Sequence, residues 1–260
     1  MDLMKLFFSL LIVLFSLKSF AIDWQQSPEI EKLFKNAGVE GTFVLYDVSE
    51  QRYIGHKQSR AETRFIPAST FKIANTLIGL TVGAIENVDE VLPYGGKPQP
   101  LDIWEKDMSL REAIPISNVP IYQELARRIG LERMSSKVKR LKYGNADIGQ
   151  VVDRFWLDGP LKISAVEQTG FLSELAQNQL SFPLDAQNHT REIVKLEQGY
   201  GWTLYGKTGW GNDIGWWVGW VEKGDHIYAF ALNINMYSAS EAKKRIVLGK
   251  ASLREVGVLD

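Results

Sequence analysis

The chain has 260 residues with 30 basic and 31 acidic side chains, so its charge gives no reason to expect a nucleic acid or an anionic membrane surface as partner. It contains no cysteine, which excludes disulfides, thiol nucleophiles and thiolate metal ligands. Its histidines, His56, His189 and His226, lie far apart and lack the spacing of a metal site or of a histidine-based triad.

The first 21 residues have the pattern of a secretory signal peptide. Lys5 precedes an apolar run over residues 6–17, and small residues follow at Ser19 and Ala21. The run is shorter than the roughly 20 residues that a membrane-spanning helix needs. We therefore expect cleavage after Ala21 and a periplasmic mature protein that begins at Ile22, without a stable membrane anchor. An uncleaved anchor is the alternative.

After this segment, the hydrophobic periodicity predicts strands near both ends of the chain and helices in the middle. Alternating residues over 41–48 and 52–55 predict a β-hairpin. Later segments with helical or alternating spacing, bounded by turn residues, predict helices at 119–129, 164–180, 186–196 and about 239–255, and strands at 201–208, 214–221 and 226–236.

Strands at both ends of a chain imply one sheet that is assembled from distant segments. We therefore expect an α+β fold, in which an antiparallel sheet flanked by helices carries an inserted, mainly helical lobe. The sheet lobe would comprise about 22–66 and 199–260, and the helical lobe about 67–198. No linker composition separates an independent unit, so residues 22–260 are expected to form a single domain.

The stretch Ser69-Thr70-Phe71-Lys72 follows Pro67 at the predicted start of an apolar helix. Positions i and i+3 project from the same face of a helix, so the hydroxyl of Ser69 and the amine of Lys72 can meet. A serine nucleophile needs such a base at neutral pH. Taken alone, however, a serine at this position is more typical of a helix N-cap.

Four further segments combine polar and aromatic residues that each have an ordinary structural interpretation. Ser117-Asn118-Val119 is typical of a helix N-cap, and Tyr143-Gly144-Asn145 is typical of a turn. Trp156 is typical of a core aromatic in a loop, and Lys207-Thr208-Gly209 is typical of the end of a strand. Their order along the chain, after the Ser69 stretch, is more informative than any one of them.

Two other patterns suggest different chemistry. Residues 201–208 match the phosphate-binding pattern GxxxxGK[ST], but Trp202, Leu204 and Tyr205 are bulky and no helix is predicted to follow. Glu167 lies where a related class of enzymes keeps a deacylating glutamate. We interpret it instead as a first-turn acidic residue that the helix dipole favours.

The ordered set of SxxK, a second serine triplet and KTG is the signature of penicillin-interactive serine enzymes. Over nearly all of the mature chain, the sequence resembles the class D, oxacillinase-type β-lactamases within the superfamily of penicillin-binding proteins and transpeptidases. The blocks that carry the resemblance are PASTFKIANTLIGL, SNVPIYQELAR, YGN, FWLDGPLKISAVEQ, KTGW and GWWVGWVE. The resemblance implies the fold of that superfamily.

The resemblance also implies catalytic roles. Ser69 would be the nucleophile that forms an acyl-enzyme, and Lys72, as an N-carboxylated lysine formed with carbon dioxide, would be its general base. Ser117 would relay a proton to the leaving nitrogen. Trp156 would donate a hydrogen bond to the carbamate on Lys72, and Val119 would form an apolar wall beside it.

The remaining positions that match the family would hold the substrate, and they are Lys207, Thr208, Gly209, Trp210 and Arg245. Lys207, Thr208 and Arg245 would bind the substrate carboxylate, although Lys243 and Lys244 adjoin Arg245 and make its assignment depend on spacing alone. The backbone N–H groups of Ser69 and Trp210 would form the oxyanion hole.

The sequence thus resembles a secreted β-lactamase that would confer antibiotic resistance by hydrolysing the amide of penicillin-type antibiotics. Its partner would be a small-molecule β-lactam, with no metal or organic cofactor and with CO₂ or bicarbonate consumed to carboxylate Lys72. A β-lactam sensor domain that is acylated without turnover is the main alternative, and a cell-wall peptidase or transpeptidase is another. Both a monomer and a homodimer are compatible with the sequence.

Overall fold

The computed structural model describes residues 22–260, so the predicted signal peptide lies outside the described residues. The strands are Trp24–Gln26 (β1), Gly41–Asp47 (β2), Arg52–His56 (β3), Lys195–Gly199 (β4), Trp202–Gly211 (β5), Ile214–Lys223 (β6) and His226–Asn235 (β7). The α-helices are Pro28–Asn36 (α1), Gln58–Ala61 (α2), Lys72–Thr81 (α3), Leu110–Ala113 (α4), Val119–Ile129 (α5), Leu131–Arg140 (α6), Ala165–Ala176 (α7), Leu184–Ile193 (α8) and Ala242–Glu255 (α9). Short 3₁₀ helices cover Ala68–Phe71, Asp102–Trp104 and Ala239–Glu241.

The strands form one sheet in the order β1-β3-β2-β7-β6-β5-β4. Strand β2, near the start of the chain, pairs with β7, near its end. This pairing joins the early and the late strands into one sheet, and most of the helices lie between them in the sequence. All neighbouring strands are antiparallel except β1 and β3, which run parallel. The predicted α+β class, with a sheet flanked by helices, is confirmed.

The sheet is buried on both faces, and β6 shows how the sequence achieves this. Alternate residues of a strand point to opposite faces. Trp216, Val218 and Trp220 pack towards the helices in the middle of the chain, whereas Trp217 and Val221 pack with residues of α1 and α9. A strand that is apolar on both faces must lie inside the sheet, and β6 lies between β5 and β7, whereas β5 is next to the edge strand β4.

Several predicted boundaries were wrong. The helix predicted at 164–180 ends at Ala176, and the helix predicted at 186–196 begins at Leu184 and ends at Ile193. Residues after it form β4 instead, because their backbone groups pair with the otherwise open edge of β5. The last helix begins at Ala242, after a 3₁₀ turn. Helices α1 and α6 were not predicted.

The structure also decides the two alternative patterns. The segment with the phosphate-loop letters lies in β5, which continues to Gly211 and turns into β6 without a helix. Glu167 completes a capping box with Ser164 at the start of α7, and it pairs with Arg64. Both interpretations that favoured a structural role are confirmed.

Within residues 22–260, no helix is long and apolar enough to cross a membrane. Over the same span, no group of three or more histidine, cysteine, aspartate or glutamate side chains is arranged to hold a metal ion.

Candidate active site

Ser69 and Lys72 meet at the junction of the 3₁₀ turn and α3. The Nζ atom of Lys72 lies 2.8 Å from the Oγ atom of Ser69, within hydrogen-bond distance. Ser69 does not cap α3, since the residue at the cap position is Phe71. As an early residue of a helical turn, Ser69 has a backbone N–H without a partner inside that turn, and this N–H is free to stabilise an oxyanion.

The turn that carries Ser69 is held in a constrained shape. Ala68 has a left-handed backbone with φ of 48°, which costs a non-glycine residue of the order of 1–3 kcal/mol. Two donors of Thr70 fix the turn, because its N–H and its Oγ1 lie 3.2 and 2.8 Å from the carbonyl oxygen of Pro67. Thr70 Oγ1 also accepts a buried hydrogen bond from Gln168 Nε2 at 2.9 Å. The Ser69 side chain is therefore positioned by the immediate neighbours of Ser69 in the chain.

The lysine of this pair is in an apolar environment. Lys72 has no solvent exposure, and burial, followed by the charge of Lys207, holds the pKa of its amine well below the ordinary value. The ring centroid of Tyr122 lies 5.2 Å from its Nζ atom. A buried amine with a lowered pKa becomes neutral at a lower pH than an exposed lysine does, and only the neutral amine is nucleophilic or basic.

Trp156 supplies an unpaired donor in the same region. Its side chain is fully buried and stacks on Phe71, with the ring centroids 5.6 Å apart. Its Nε1 atom is buried, and no acceptor lies within hydrogen-bond distance among the described residues. A buried N–H without a partner costs about 1–3 kcal/mol, which indicates that an acceptor belongs beside it.

Ser117 and Lys207 form a second hydroxyl–amine pair. Ser117 has a left-handed backbone with φ of 56° just before α5, whose N-cap is Asn118. Lys207 Nζ donates to Ser117 Oγ and lies 3.0 Å from the carbonyl oxygen of Thr208. Burial, and then the positive charge of Arg245, lowers the pKa of Lys207 to about 7. The amine can thus gain or lose a proton near neutral pH.

The strand β5 approaches the Ser69 turn because Gly209 has no side chain. A Cβ atom at Gly209 would lie 2.9 Å from the Pro67 oxygen and 3.2 Å from the Thr70 nitrogen. The contact puts the carboxy-terminal half of β5 beside the turn that carries Ser69. The small residue of the KTG motif is therefore required by close packing.

The outer edge of this half of β5 is open. The N–H of Gly206 lies 2.9 Å from the carbonyl oxygen of Val194, and β4 pairs with residues 202–205. Alternate residues of a strand present their backbone groups to the same side, so the N–H groups of Thr208 and Trp210 point to the open edge. Trp210 is 45 % exposed, and its ring is held by a 2.9 Å hydrogen bond to the oxygen of Met236.

Arg245 reaches the same strand from α9. Its Nη1 atom donates to the carbonyl oxygen of Gly209 at 2.6 Å, and its Nε atom donates to that of Ala242 at 3.0 Å. The neighbouring Lys244 pairs with Glu241 on the surface. Of the adjacent basic residues that made the alignment uncertain, Arg245 is thus the one that contacts β5.

The hydrogen bonds that support Lys72 from behind were not predicted from the sequence. Thr76 Oγ1 donates to the carbonyl oxygen of Lys72 at 2.9 Å and lies 3.0 Å from the hydroxyl of Tyr122. Asn75 Nδ2 donates to the carbonyl oxygen of Tyr122 at 3.1 Å. A signal was present, because Thr76 is one helical turn after Lys72 and Tyr122 is in the first turn after Val119.

The Tyr143 triplet has a packing role. Tyr143 is fully buried with its ring centroid 5.4 Å from that of Phe71, and its hydroxyl donates to Gln168 Oε1 at 3.4 Å. A Cβ atom on Gly144 would meet the backbone oxygen of Lys162 at 2.0 Å. These contacts secure the wall behind the Ser69 turn.

Comparison with known proteins shows the family to which the chain belongs. The family model for the penicillin binding protein transpeptidase domain matches residues 41–251. The chain is 39 % identical over 235 residues to Beta-lactamase OXA-5 of Pseudomonas aeruginosa, covering 88 % of each. It is 35 % identical over 243 residues to Beta-lactamase OXA-48 of Klebsiella pneumoniae, covering 92 % of each.

Solved structures give the same result. The chain is similar to FUS-1 (OXA-85), a class D β-lactamase from Fusobacterium nucleatum subsp. polymorphum, with a TM-score of 0.88 and 42 % identity, covering 91 % of this chain and 100 % of that one. The class D β-lactamase YbXI from Nostoc has a TM-score of 0.85 and 36 % identity, and the match covers 88 % of this chain and 99 % of that one.

Proposed function

Because the chain belongs to the class D serine β-lactamases, in the superfamily of penicillin-binding protein transpeptidases, we propose that it hydrolyses penicillin-type antibiotics through an acyl-enzyme on Ser69. The observation that supports this most is the fully buried Lys72 with its Nζ atom 2.8 Å from Ser69 Oγ. An unprotonated base beside a serine hydroxyl is what acyl transfer requires.

Acylation begins when Ser69 loses its proton towards the Lys72 side chain. Ser69 Oγ then bonds to the β-lactam carbonyl carbon, and the negative charge moves to the carbonyl oxygen. The N–H groups of Ser69 and Trp210 stabilise that oxygen. As the carbon–nitrogen bond breaks, the nitrogen takes a proton from Ser117, which Lys207 can replace because the two are hydrogen-bonded. Water later cleaves the ester.

Lys72 fits the carboxylated form that the family implies. Its lowered pKa keeps the amine neutral and able to combine with carbon dioxide, with release of one proton. The unpaired Nε1 donor of Trp156 would hold the added group, and Val119 would contribute to its apolar surroundings. When present, that group supplies the general base for acylation and for deacylation.

The substrate carboxylate would bind at the open edge of β5. Lys207 and Thr208 offer an amine and a hydroxyl there, and the guanidinium of Arg245 adds positive charge behind the strand. Gly209 allows the edge to lie against the nucleophile turn. A bound carboxylate would favour the protonated form of Lys207, whose pKa in the free enzyme is about 7.

The proposal includes export to the periplasm, which the pattern of residues 1–21 supports. Expression of the full chain in a Gram-negative host, followed by N-terminal sequencing of the periplasmic protein, should give a chain that begins at Ile22. Retention of the intact chain in the membrane would favour an uncleaved anchor.

One kinetic experiment tests the proposed activity. The mature protein is mixed with a chromogenic cephalosporin or with penicillin, with and without added bicarbonate, and a Ser69→Ala variant is the control. We expect many turnovers per enzyme molecule in bicarbonate and none for the variant. Acylation that stops at one equivalent in bicarbonate-replete buffer would instead identify a β-lactam sensor.

A further inference from the structure

A hollow of about 330 Å³ adjoins the open edge of β5. Its walls are mostly apolar and come from three parts of the chain, with Ile114 before α5, Ile193 and Leu196 around the start of β4, and Ile246 on α9. Lys195, at the start of β4, also lines it. Lys207 and Thr208 form the side that faces the proposed carboxylate site. A volume near 300 Å³ is at the lower end of the range for small-molecule pockets.

Two local features of the sheet create this hollow. Strand β4 has a bulge between Lys195 and Glu197, so the extra residue Leu196 has no partner on β5 and lines the hollow. Opposite it, Gly206 has no side chain. A Cβ atom there would lie 3.2 Å from Leu196 Cδ1 and 2.8 Å from the backbone oxygen of Val218.

The floor of the hollow carries a hydrogen-bond donor. Trp217 is 1 % exposed and lines the hollow, and a Cβ atom on Gly206 would lie 3.4 Å from its Nε1 atom. Among residues 22–260, none accepts a hydrogen bond from this indole N–H. The hollow therefore combines apolar walls with one donor on the floor, and it suits an apolar group that carries an acceptor atom.

We propose that this hollow binds the variable substituent of cephalosporin-type substrates on the ring carbon next to the one that bears the carboxylate. The inference rests on the proposed function, because it uses Lys207 and Thr208 as the carboxylate site. A substituent on the adjacent ring carbon must lie close to that carboxylate, and the hollow shares the same two residues. Flat, largely apolar substituents with a ring nitrogen are the class that fits best.

The test uses cephalosporins with one common acyl side chain and different ring substituents, namely hydrogen, styryl and pyridylvinyl. The variant Leu196→Trp fills the hollow, and Leu184→Trp, at a similarly exposed leucine on α8, is the matched control. We expect Leu196→Trp to lower kcat/KM about tenfold for the styryl substrate and less than twofold for the hydrogen substrate. Leu184→Trp should change neither value.

A second variant tests the donor on the floor. In Trp217→Phe, the preference for the pyridylvinyl over the styryl substrate should fall about fivefold, which corresponds to one neutral hydrogen bond.

Ile246→Trp, from the opposite wall, should reproduce the size effect of Leu196→Trp. Equal losses for the hydrogen and styryl substrates in both wall variants would overturn the inference and leave the proposed function intact. Failure of the unaltered enzyme to hydrolyse any cephalosporin of the series would overturn both.

Discussion

The Nζ atom of Lys72 lies 2.8 Å from the Oγ atom of Ser69, in a position where the lysine has no contact with solvent. Burial makes the charged amine unfavourable, so the feature that destabilises the fold would also prepare the base that the proposed mechanism needs. In the proposed mechanism, the basicity of Lys72 thus depends on a buried environment in which lysines without such a role are rarely found.

Replacing Lys72 with alanine should reduce kcat by a factor of at least about 10³, because a general base contributes roughly 10²–10⁴ in rate. Steady-state hydrolysis of penicillin in bicarbonate-replete buffer measures the effect. Lys139→Ala, at an exposed lysine of α6, is the control and should keep full activity. Unchanged activity in Lys72→Ala would remove Lys72 from the mechanism.

Activity should fall as the pH decreases, because protonation of Lys72 prevents its reaction with carbon dioxide. The pKa of this amine is lowered by burial, so the active form exists below the ordinary range of a lysine and is lost once the pH falls below that lowered pKa. After degassing at low pH, return to neutral pH should restore activity only with added bicarbonate. NMR of the enzyme in ¹³C-bicarbonate should show a carbamate signal that is absent from Lys72→Ala.

Trp156→Phe should weaken the retention of carbon dioxide. The change keeps an aromatic ring against Phe71 and removes only the unpaired Nε1 donor. We expect the bicarbonate concentration for half-maximal activity to rise about tenfold, as expected for the loss of one charge-assisted hydrogen bond. Activity at saturating bicarbonate should largely recover. A uniform loss that bicarbonate does not rescue would indicate damage to packing instead.

The lowered pKa of Lys207 should make the fold more stable as the pH rises from about 7 towards the pKa of this lysine in the unfolded chain. Its folded pKa of about 7 lies below the ordinary lysine pKa of about 10.4, so in this interval the unfolded chain binds more protons than the folded one. The free energy of unfolding should therefore increase with pH. Urea denaturation at two pH values, about 7 and 9.5, should show this increase, and Lys207→Met should reduce it by about 3 kcal/mol. An identical pH dependence in the variant would contradict the shifted pKa.

Gly209→Ala should impair both stability and activity. The added methyl group would press on the Pro67 oxygen at 2.9 Å, and overpacking of this kind costs about 1–3 kcal/mol. The melting temperature and kcat/KM should both decrease, since β5 must move away from the Ser69 turn. Gly170→Ala in α7 is the matched control, because its Cβ atom would have no neighbour within 4 Å. A normal kcat/KM in Gly209→Ala would show that the close approach is dispensable.

Much of the fold was accessible from the sequence, since periodicity reports which face of an element is buried. The helix at Val119–Ile129 was predicted with its observed bounds, and the first hairpin was confirmed. The error at 186–196 has a clear cause. Residues from Lys195 onwards have no strong preference, and the unpaired edge of β5 recruits them as a strand.

The sequence by itself determined the family and the candidate residues, because short motifs in a fixed order identify chemistry that depends on residue type. Only the tertiary structure decided their environment. The burial of Lys72, the unpaired donor of Trp156 and the contact of Arg245 with β5 involve residues far apart in the chain. The pKa of a side chain, and whether its donor has a hydrogen-bond partner, depend on every atom within a few ångströms. Neighbours along the chain supply only some of those atoms.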